Sequence, residues 1–432
     1  MTTKGINAKW ILGLLVALGL ALRVACARGD LWLDEIWTLK LVEPLRSGFE
    51  VFWNISNDNN HFLNSLWMYE LGQNGPPWLY RLPSILCGGV SVAVAGRIGF
   101  RTSPAAGLIA GLLVAVAFPF VNYGSEARGY GALILAMLVA LSAFDRALPL
   151  LGRPEAQSEI RRPSGIMGVA VGLGALAHLE MLAGAAVLGF TAFGCALVGG
   201  ARSEIPRRLF PAATFFLPAL LLILPALAAV AAGISAHGLT IGGLTRFESA
   251  FVDGYGGLLA SLAGIPATAP PWLALLLAAA CVAAALTDGW LTRSRAALCI
   301  CGLVVAPAAI YLFNPPNLQY PRYFLFFGLV FVLLLADLAG GLWATRPGKA
   351  AVGAALVLFG FAQARQIATL ARGGRAQVSA LIEVMAWKPR RPMRRRSGQR
   401  RNMCWIITAA APESRRSAFP CRRPAPRSPI SM

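Results

Sequence analysis

Apolar residues along this chain gather into long runs, near 10–27, 79–99, 104–122, 129–147, 165–199, 209–233, 271–287, 296–313, 322–343 and 350–363. A helix needs about 20 apolar residues to cross a bilayer, with about 17 as the lower end. The run 165–199 is long enough for two short helices, and a turn at AHLEM (177–181) would bring His178 and Glu180 to an interface. A charge left at the bilayer centre would cost about 2.5–3.5 kcal/mol. The pattern predicts an all-α fold, a polytopic transmembrane helical bundle of about eleven spans.

The segment HFLNSLWMYELGQ (61–73) is apolar enough to touch lipid but too short to cross it. Basic residues decide its place, because short loops rich in Lys and Arg stay in the cytoplasm. Take Lys4 and Lys9 as inside, and let 61–73 not cross. The loops carrying Arg97 and Arg101, then Arg146, Arg153, Arg161 and Arg162, then Arg202, Arg207 and Arg208, then Arg293 and Arg295, then Arg346 and Lys349 all fall inside. A crossing would flip the first two. We therefore expect 61–73 to be an extracytoplasmic juxtamembrane helix. The same topology gathers the unusual polar residues on the outer face: Asp34 and Glu35, FWNISNDNNH (52–61), YGSEARGY (123–130), His178 with Glu180, the loop 234–270 and NPPNLQYPRYF (314–324). Loops are polar by default, so chance supplies part of this clustering. The remainder is what a site at the outer membrane surface would look like.

Composition sharpens the class. The 432 residues are 57% hydrophobic and 13% charged, against about 25% charged in soluble domains, and mean hydropathy is +0.62. An integral membrane protein follows. The net charge of +20 is concentrated: residues 388–432 hold thirteen Lys/Arg against Glu413 alone, leaving +8 elsewhere. That distribution fits basic cytoplasmic loops and membrane-lipid contact, with no nucleic-acid partner. The eight cysteines form no CxxC pair, and Cys299 and Cys301 lie in an apolar run, so neither a zinc site nor a disulfide framework is indicated. The first run follows Lys4 and Lys9 and ends among Ala25, Cys26 and Ala27 like a signal peptide, but its length favours an uncleaved anchor.

Five stretches in order, LWLDEIWTL (31–39), NNHFLNSLWMYELG (59–72), LYRLPSILCG (79–88), YGSEARGYGALIL (123–135) and YPRYFLFF (320–327), resemble polyprenyl-phosphate-sugar-dependent glycosyltransferases of the GT-C fold. The family 39 type is the nearest, which includes protein O-mannosyltransferases and lipid A aminoarabinose transferases. The likeness covers about residues 8–385, and its ordered set is specific where any one piece is weak. It implies a polyprenyl-phosphate sugar donor, whose reactive carbon sits just outside the cell (inner) membrane, and inverting transfer to an extracytoplasmic acceptor that is lipid, glycan or protein. It also implies Asp34 as the base or acceptor-orienting carboxylate, supported by Glu35. On the substrate side it points to His61, Glu126, Arg128 and Arg322, with Tyr320 and Tyr323 flanking Arg322. Arg246 is a further outer cation.

Plainer readings stand beside these. The acid pair could cap a helix or pair with Arg23 or Arg28, Glu126 and Arg128 could form a local ion pair, and Arg322 could be a snorkelling interfacial arginine. His178 is read as an ordinary turn residue. A divalent cation stays open: oligosaccharyltransferases of this fold hold one with acidic motifs, and Asp34, Glu35, Asp58 and Glu126 could gather, whereas nearer relatives with an adjacent acid pair work without one. No metal ligand is assigned. An O-antigen-ligase-like enzyme and a polytopic lipid or sugar transporter are the rival functions. We expect residues 1–363 to form the transmembrane catalytic domain and 364–387 to begin a truncated extracytoplasmic domain, with a first helix at 374–386. From Lys388 seven prolines and dense arginine exclude a core, so 388–432 is expected to be a disordered basic tail, the product of a shifted reading frame or a wrongly extended end, with a tail that binds anionic lipid as the alternative.

Overall fold

The computed structural model describes residues 3–377 other than 56, 152, 199–204, 239–250, 267, 288–291, 314 and 316. Arg246, the stretch 378–387 and the basic tail therefore lie outside the described residues. Among the described residues the regular elements are all helical. In chain order they are α1 (Thr3–Cys26), α2 (Leu33–Val42), α3 (Phe62–Leu71), α4 (Pro77–Gly99), α5 (Pro104–Val116), α6 (Phe118–Tyr123), α7 (Tyr130–Ala147) and α8 (Gln157–Ala177). There follow α9 (Met181–Val198), α10 (Ile205–His237), α11 (Gly257–Ala263), α12 (Trp272–Thr287), α13 (Arg293–Ile300), α14 (Ala306–Phe313), α15 (Leu325–Leu342) and α16 (Arg346–Gly373). Eight helical segments are long and apolar enough to cross a membrane, and α5 and α12 are apolar but shorter. The chain is an all-α polytopic bundle.

Helices that are apolar all round are buried all round or face lipid. α15, LFFGLVFVLLLADLAGGL, is the first kind: Phe326, Phe327 and Phe331 are almost wholly buried, and its neighbours include α5, α11 and α12. α1 is the second kind, with Trp10, Leu14 and Leu18 exposed. The short segment at 61–73 folds as α3, a ten-residue helix that buries Phe62, Ser65 and Met68 against α2 and the 3-10 turn Gly48–Phe52.

Three expectations change. The run 104–122 is not one helix: the chain breaks at Ala117 (φ −61°, ψ 123°), because Pro119 cannot continue the α5 ladder and begins α6 instead. The buried Arg23 donates to the carbonyls around the break, Val114 (3.1 Å), Ala115 (3.4 Å) and Phe120 (3.2 Å), so it is no partner for the acid pair. Irregular backbone inside a membrane bundle persists only where donors re-satisfy it in this way. The stretch 234–270 is not a plain loop, since α10 runs to His237 and a π-turn at Val252–Gly256 leads into α11.

Finally, α16 runs past residue 363 to Gly373, and residues 374–377 are not helical. Gly374 (φ 67°) and Gly29 (φ 87°) face each other in left-handed conformations that favour glycine. Across them Arg375 N–H donates to Arg28 O (3.1 Å) and Asp30 N–H to Ala376 O (3.2 Å). The chain leaving α16 is thus stitched to the loop between α1 and α2.

Candidate active site

The adjacent acids sit in the first turn of α2, where a helix turns about 100° per residue and so aims them apart. Glu35 points inward and is fully buried. Its carboxylate takes Arg81 Nη2 (2.5 Å) and Nε (3.0 Å), the Trp32 N–H (3.1 Å) and the Ala127 N–H (2.6 Å). Arg81 spends its remaining donors on the carbonyls of Ala27 (2.7 Å), Gly29 (2.9 Å) and Asp30 (2.7 Å). A guanidinium has five N–H donors, and all are used. Glu35 therefore has no free oxygen to offer a substrate; it locks α2 to α4 and to the turn before α7.

Asp34 points the other way, into a pocket of about 320 Å³ whose wall includes Asp58, Asn59, Arg128, Tyr320 and Arg322. Its side chain keeps 27% exposure. Oδ2 meets Arg128 Nη1 at 2.5 Å and Arg322 Nη1 at 3.6 Å, whereas Oδ1 makes no hydrogen bond among the described residues.

The two arginines differ. Arg128 is committed: besides Asp34, its Nη2 reaches Asn59 Oδ1 (2.7 Å) and His61 Nε2 (2.9 Å), and its Nε donates to His61 Nε2 (3.2 Å). Asn59 in turn donates to Asp34 O (2.9 Å) and Thr38 Oγ1 (3.0 Å), which ties the 57–60 turn to α2. Arg322 has donors to spare. Its Nε is buried without a partner, and the guanidinium lies over the rings of Tyr320 (4.6 Å) and Tyr323 (5.4 Å). That stacking aims an under-used fork at the pocket. Asn317 lines the same wall and is the one non-glycine with positive φ (69°) among the described residues, a conformation asparagine tolerates.

The other expected residues stand behind the pocket. Burial first, and then the Arg128 charge, hold His61 well below the usual imidazole range, so the ring is neutral and accepts from Arg128. It is 4% exposed and stacks on His178 (4.8 Å), so it backs Arg128 and does not itself form the pocket wall. Glu126 does not pair with Arg128. It is buried against Arg375 (Oε1 to Nη1, 3.0 Å), with Oε2 unpartnered, and burial pushes its carboxyl up while Arg375 opposes that shift. Glu180 Oε1 accepts the Leu325 N–H (2.9 Å) at the start of α15, directly after the turn that carries Arg322, and burial raises its pKa to about 8. A Cβ at Gly129 would overlap the Ala177 carbonyl, so the turn before α7 can close onto the end of α8 only with glycine there.

Several positioning residues give little sign in the sequence. Arg81 carries one, a charge within an apolar run that demands a partner. Asn59, among many polar neighbours, and Arg375, in a basic stretch, carry none. Of the four acids that could have gathered round a cation, Asp34 and Asp58 line one pocket, with Asp34 Oδ2 between two guanidiniums, whereas Glu35 faces Arg81 and Glu126 faces Arg375. Divalent ions want several oxygen ligands, and no group of three or more His, Cys, Asp or Glu that could hold one occurs among the described residues.

No family model and no curated protein matches the chain. Solved structures do. The apo oligosaccharyltransferase of Archaeoglobus fulgidus superposes with a TM-score of 0.53 at 13% identity, over 84% of this chain and 55% of that one. The A. fulgidus oligosaccharyltransferase AglB, in complex with an inhibitory peptide and a dolichol-phosphate, gives 0.52 at 14% identity, over 90% of this chain and 59% of that one. The chain thus spans little more than half the length of these neighbours. What it shares with them is their membrane fold, GT-C.

Proposed function

We propose that the chain is a membrane glycosyltransferase that moves a sugar, with inversion, from a polyprenyl-phosphate donor to an acceptor hydroxyl. The reaction takes place at the extracytoplasmic face of the inner membrane, with the N-terminus in the cytoplasm. One observation carries the reading: one pocket joins Asp34 Oδ1, a carboxylate oxygen with no hydrogen bond among the described residues, to a guanidinium with donors to spare, Arg322. The GT-C fold shared with oligosaccharyltransferases, one of them in complex with a dolichol-phosphate, supports it.

The chemistry follows from the geometry. Asp34 Oδ1 accepts the acceptor hydroxyl proton while that oxygen attacks the anomeric carbon from the face opposite the phosphate. The bond from the anomeric carbon to the phosphate oxygen breaks, and the electron pair leaves on the polyprenyl phosphate. Arg322 stabilises that growing charge with its fork. Arg128 holds Asp34 turned into the pocket, His61 and Asn59 hold Arg128, and Glu35 with Arg81 fixes the start of α2. Tyr320 and Tyr323 hold Arg322 in place. The acceptor class stays open among lipid, glycan and protein.

Asp34→Asn keeps the size of the side chain and loses the proton acceptor. Turnover of a polyprenyl-phosphate sugar by purified variant in detergent should fall about 10²- to 10⁴-fold, with unchanged yield and melting. Near-normal turnover by the Asn variant would remove Asp34 from the chemistry.

A further inference from the structure

The guanidinium of Arg375, just past α16, lies in a nest built wholly from residues 122–126. Nε donates to Ser125 O (2.9 Å), Nη1 to Asn122 Oδ1 (3.3 Å) and Glu126 Oε1 (3.0 Å), and Nη2 to Ser125 Oγ (2.5 Å) and to Asn122 O. The side chains of Arg375 and Glu126 are each only 5% exposed.

The segment held in this way runs straight into the site. Ala127 N–H is bound by Glu35 (2.6 Å), Ala127 O accepts from Asn64 Nδ2 (2.7 Å), Arg128 O accepts from Ser84 (2.8 Å), and the Arg128 side chain reaches Asp34. Among the described residues, 122–126 make no such hydrogen bonds with α2, α3 or α4, so Arg375 is the clamp at their end of the turn. Its own backbone is fixed to Arg28 O, in the loop whose Ala27, Gly29 and Asp30 carbonyls Arg81 binds. One closed circuit therefore runs from the exit of α16, through 122–128, to Asp34 and Glu35, and back through Arg81.

We propose that Arg375 is a positioning residue for the site: it sets the register of 122–128 and so the reach of Arg128 to Asp34, without touching substrate. This rests on the transfer reading above. A guanidinium that merely neutralised Glu126 would not also need both backbone carbonyls of Asn122 and Ser125 and both their side-chain oxygens.

The test compares Arg375→Met, Arg375→Met with Glu126→Gln, and Arg375→Lys with Arg365→Met, a control on an exposed position of α16. The double variant removes the buried charge that the single one strands, and the lysine keeps a charge beside Glu126, so folded protein is obtained in at least one arm. The readouts are kcat and donor KM, and hydrogen exchange of peptides spanning 122–130. Displacement of a catalytic group by about 1 Å can lower turnover about 10²-fold. Arg375→Met and the double variant should therefore lose about 10- to 100-fold in kcat, with donor KM within about 3-fold. Exchange at 122–130 should quicken in both, the lysine should fall between, and the control should match wild type. Recovery of wild-type kcat and exchange in the double variant would reduce Arg375 to a counter-ion and overturn the proposal. If wild type turns over no polyprenyl-phosphate sugar, the transfer reading fails and exchange alone judges the clamp: faster exchange upholds it, and unchanged exchange ends it.

Discussion

The two ends of the bundle each bring arginines and aspartates together, with opposite outcomes. Away from the pocket, Arg295 grips Asp145 with Nε (2.7 Å) and Nη2 (3.0 Å) and Asp337 with Nη1 (2.9 Å), and it also meets Thr102. Arg101 closes the other side of Asp145 (2.7 Å) and bonds Ser142. Both carboxylates are engaged, and the adjoining cavity is about 30 Å³. At the pocket the residue types are the same, yet among the described residues Asp34 Oδ1 makes no hydrogen bond and the Arg322 Nε is buried without a partner, beside about 320 Å³ of open space. A saturated cluster fastens helices α7, α13 and α15 to the turn between α4 and α5. An unsaturated one is built to receive something, and unspent hydrogen-bonding capacity, more than charge, separates the two.

The sharpest way to break the comparison is at the saturated end. Arg295→Met takes Asp337, 8% exposed, from its arginine and leaves Asp145, 12% exposed, with Arg101 alone, and breaking a buried pair costs about 3–5 kcal/mol. Thermal unfolding in detergent should show that loss as a large drop in melting temperature, while the molecules that remain folded keep their donor KM. A variant that melts normally but loses donor affinity would make that end a binding site too.

The next largest effect belongs to Arg322. A hydrogen bond to a charged group is worth about 1.5–3 kcal/mol, so Arg322→Ala should weaken donor use about 10- to 100-fold with little change in melting. Arg322→Lys, which keeps charge but not the fork, should lose less. Turnover measured against polyprenyl-phosphate-sugar concentration decides between them, and equal donor dependence in wild type, lysine and alanine forms would place the phosphate elsewhere. The smallest effect is expected at Tyr320, which is 42% exposed. Exposed cation–π contacts contribute about 0.5–1 kcal/mol, so Tyr320→Leu should raise donor KM about 2- to 5-fold. A much larger rise would mean that the stack is drier than its exposure suggests.

Hydropathy made the helices legible, because burying apolar side chains in lipid or in one another depends on local composition. It also marked α3 as too short to span. It did not reveal the break at Ala117, where one proline outweighs an apolar run, nor the helical turns after Val252. At the site, residue types and their common end were readable, but pairings were not. Glu126 has Arg128 two residues away and still pairs with Arg375, because partner choice is made by the fold over long separations. The resemblance points to His61 on the substrate side, but its burial beside Arg128, which holds the imidazole well below its usual range, is not carried by the sequence.

The Asp34–Glu35 dipeptide is asymmetric in a way composition cannot express. Its first acid faces a wet pocket and its second a dry socket, and each side-chain length suits its own surroundings. Reversing the order to Glu-Asp would leave net charge, mean hydropathy and helix position untouched. Yet the inner carboxylate would fall short by one methylene of Arg81 and the Ala127 N–H, and the outer one would be driven into Arg128. In this chain the information lies in the sequence of two letters that most substitution scales treat as interchangeable.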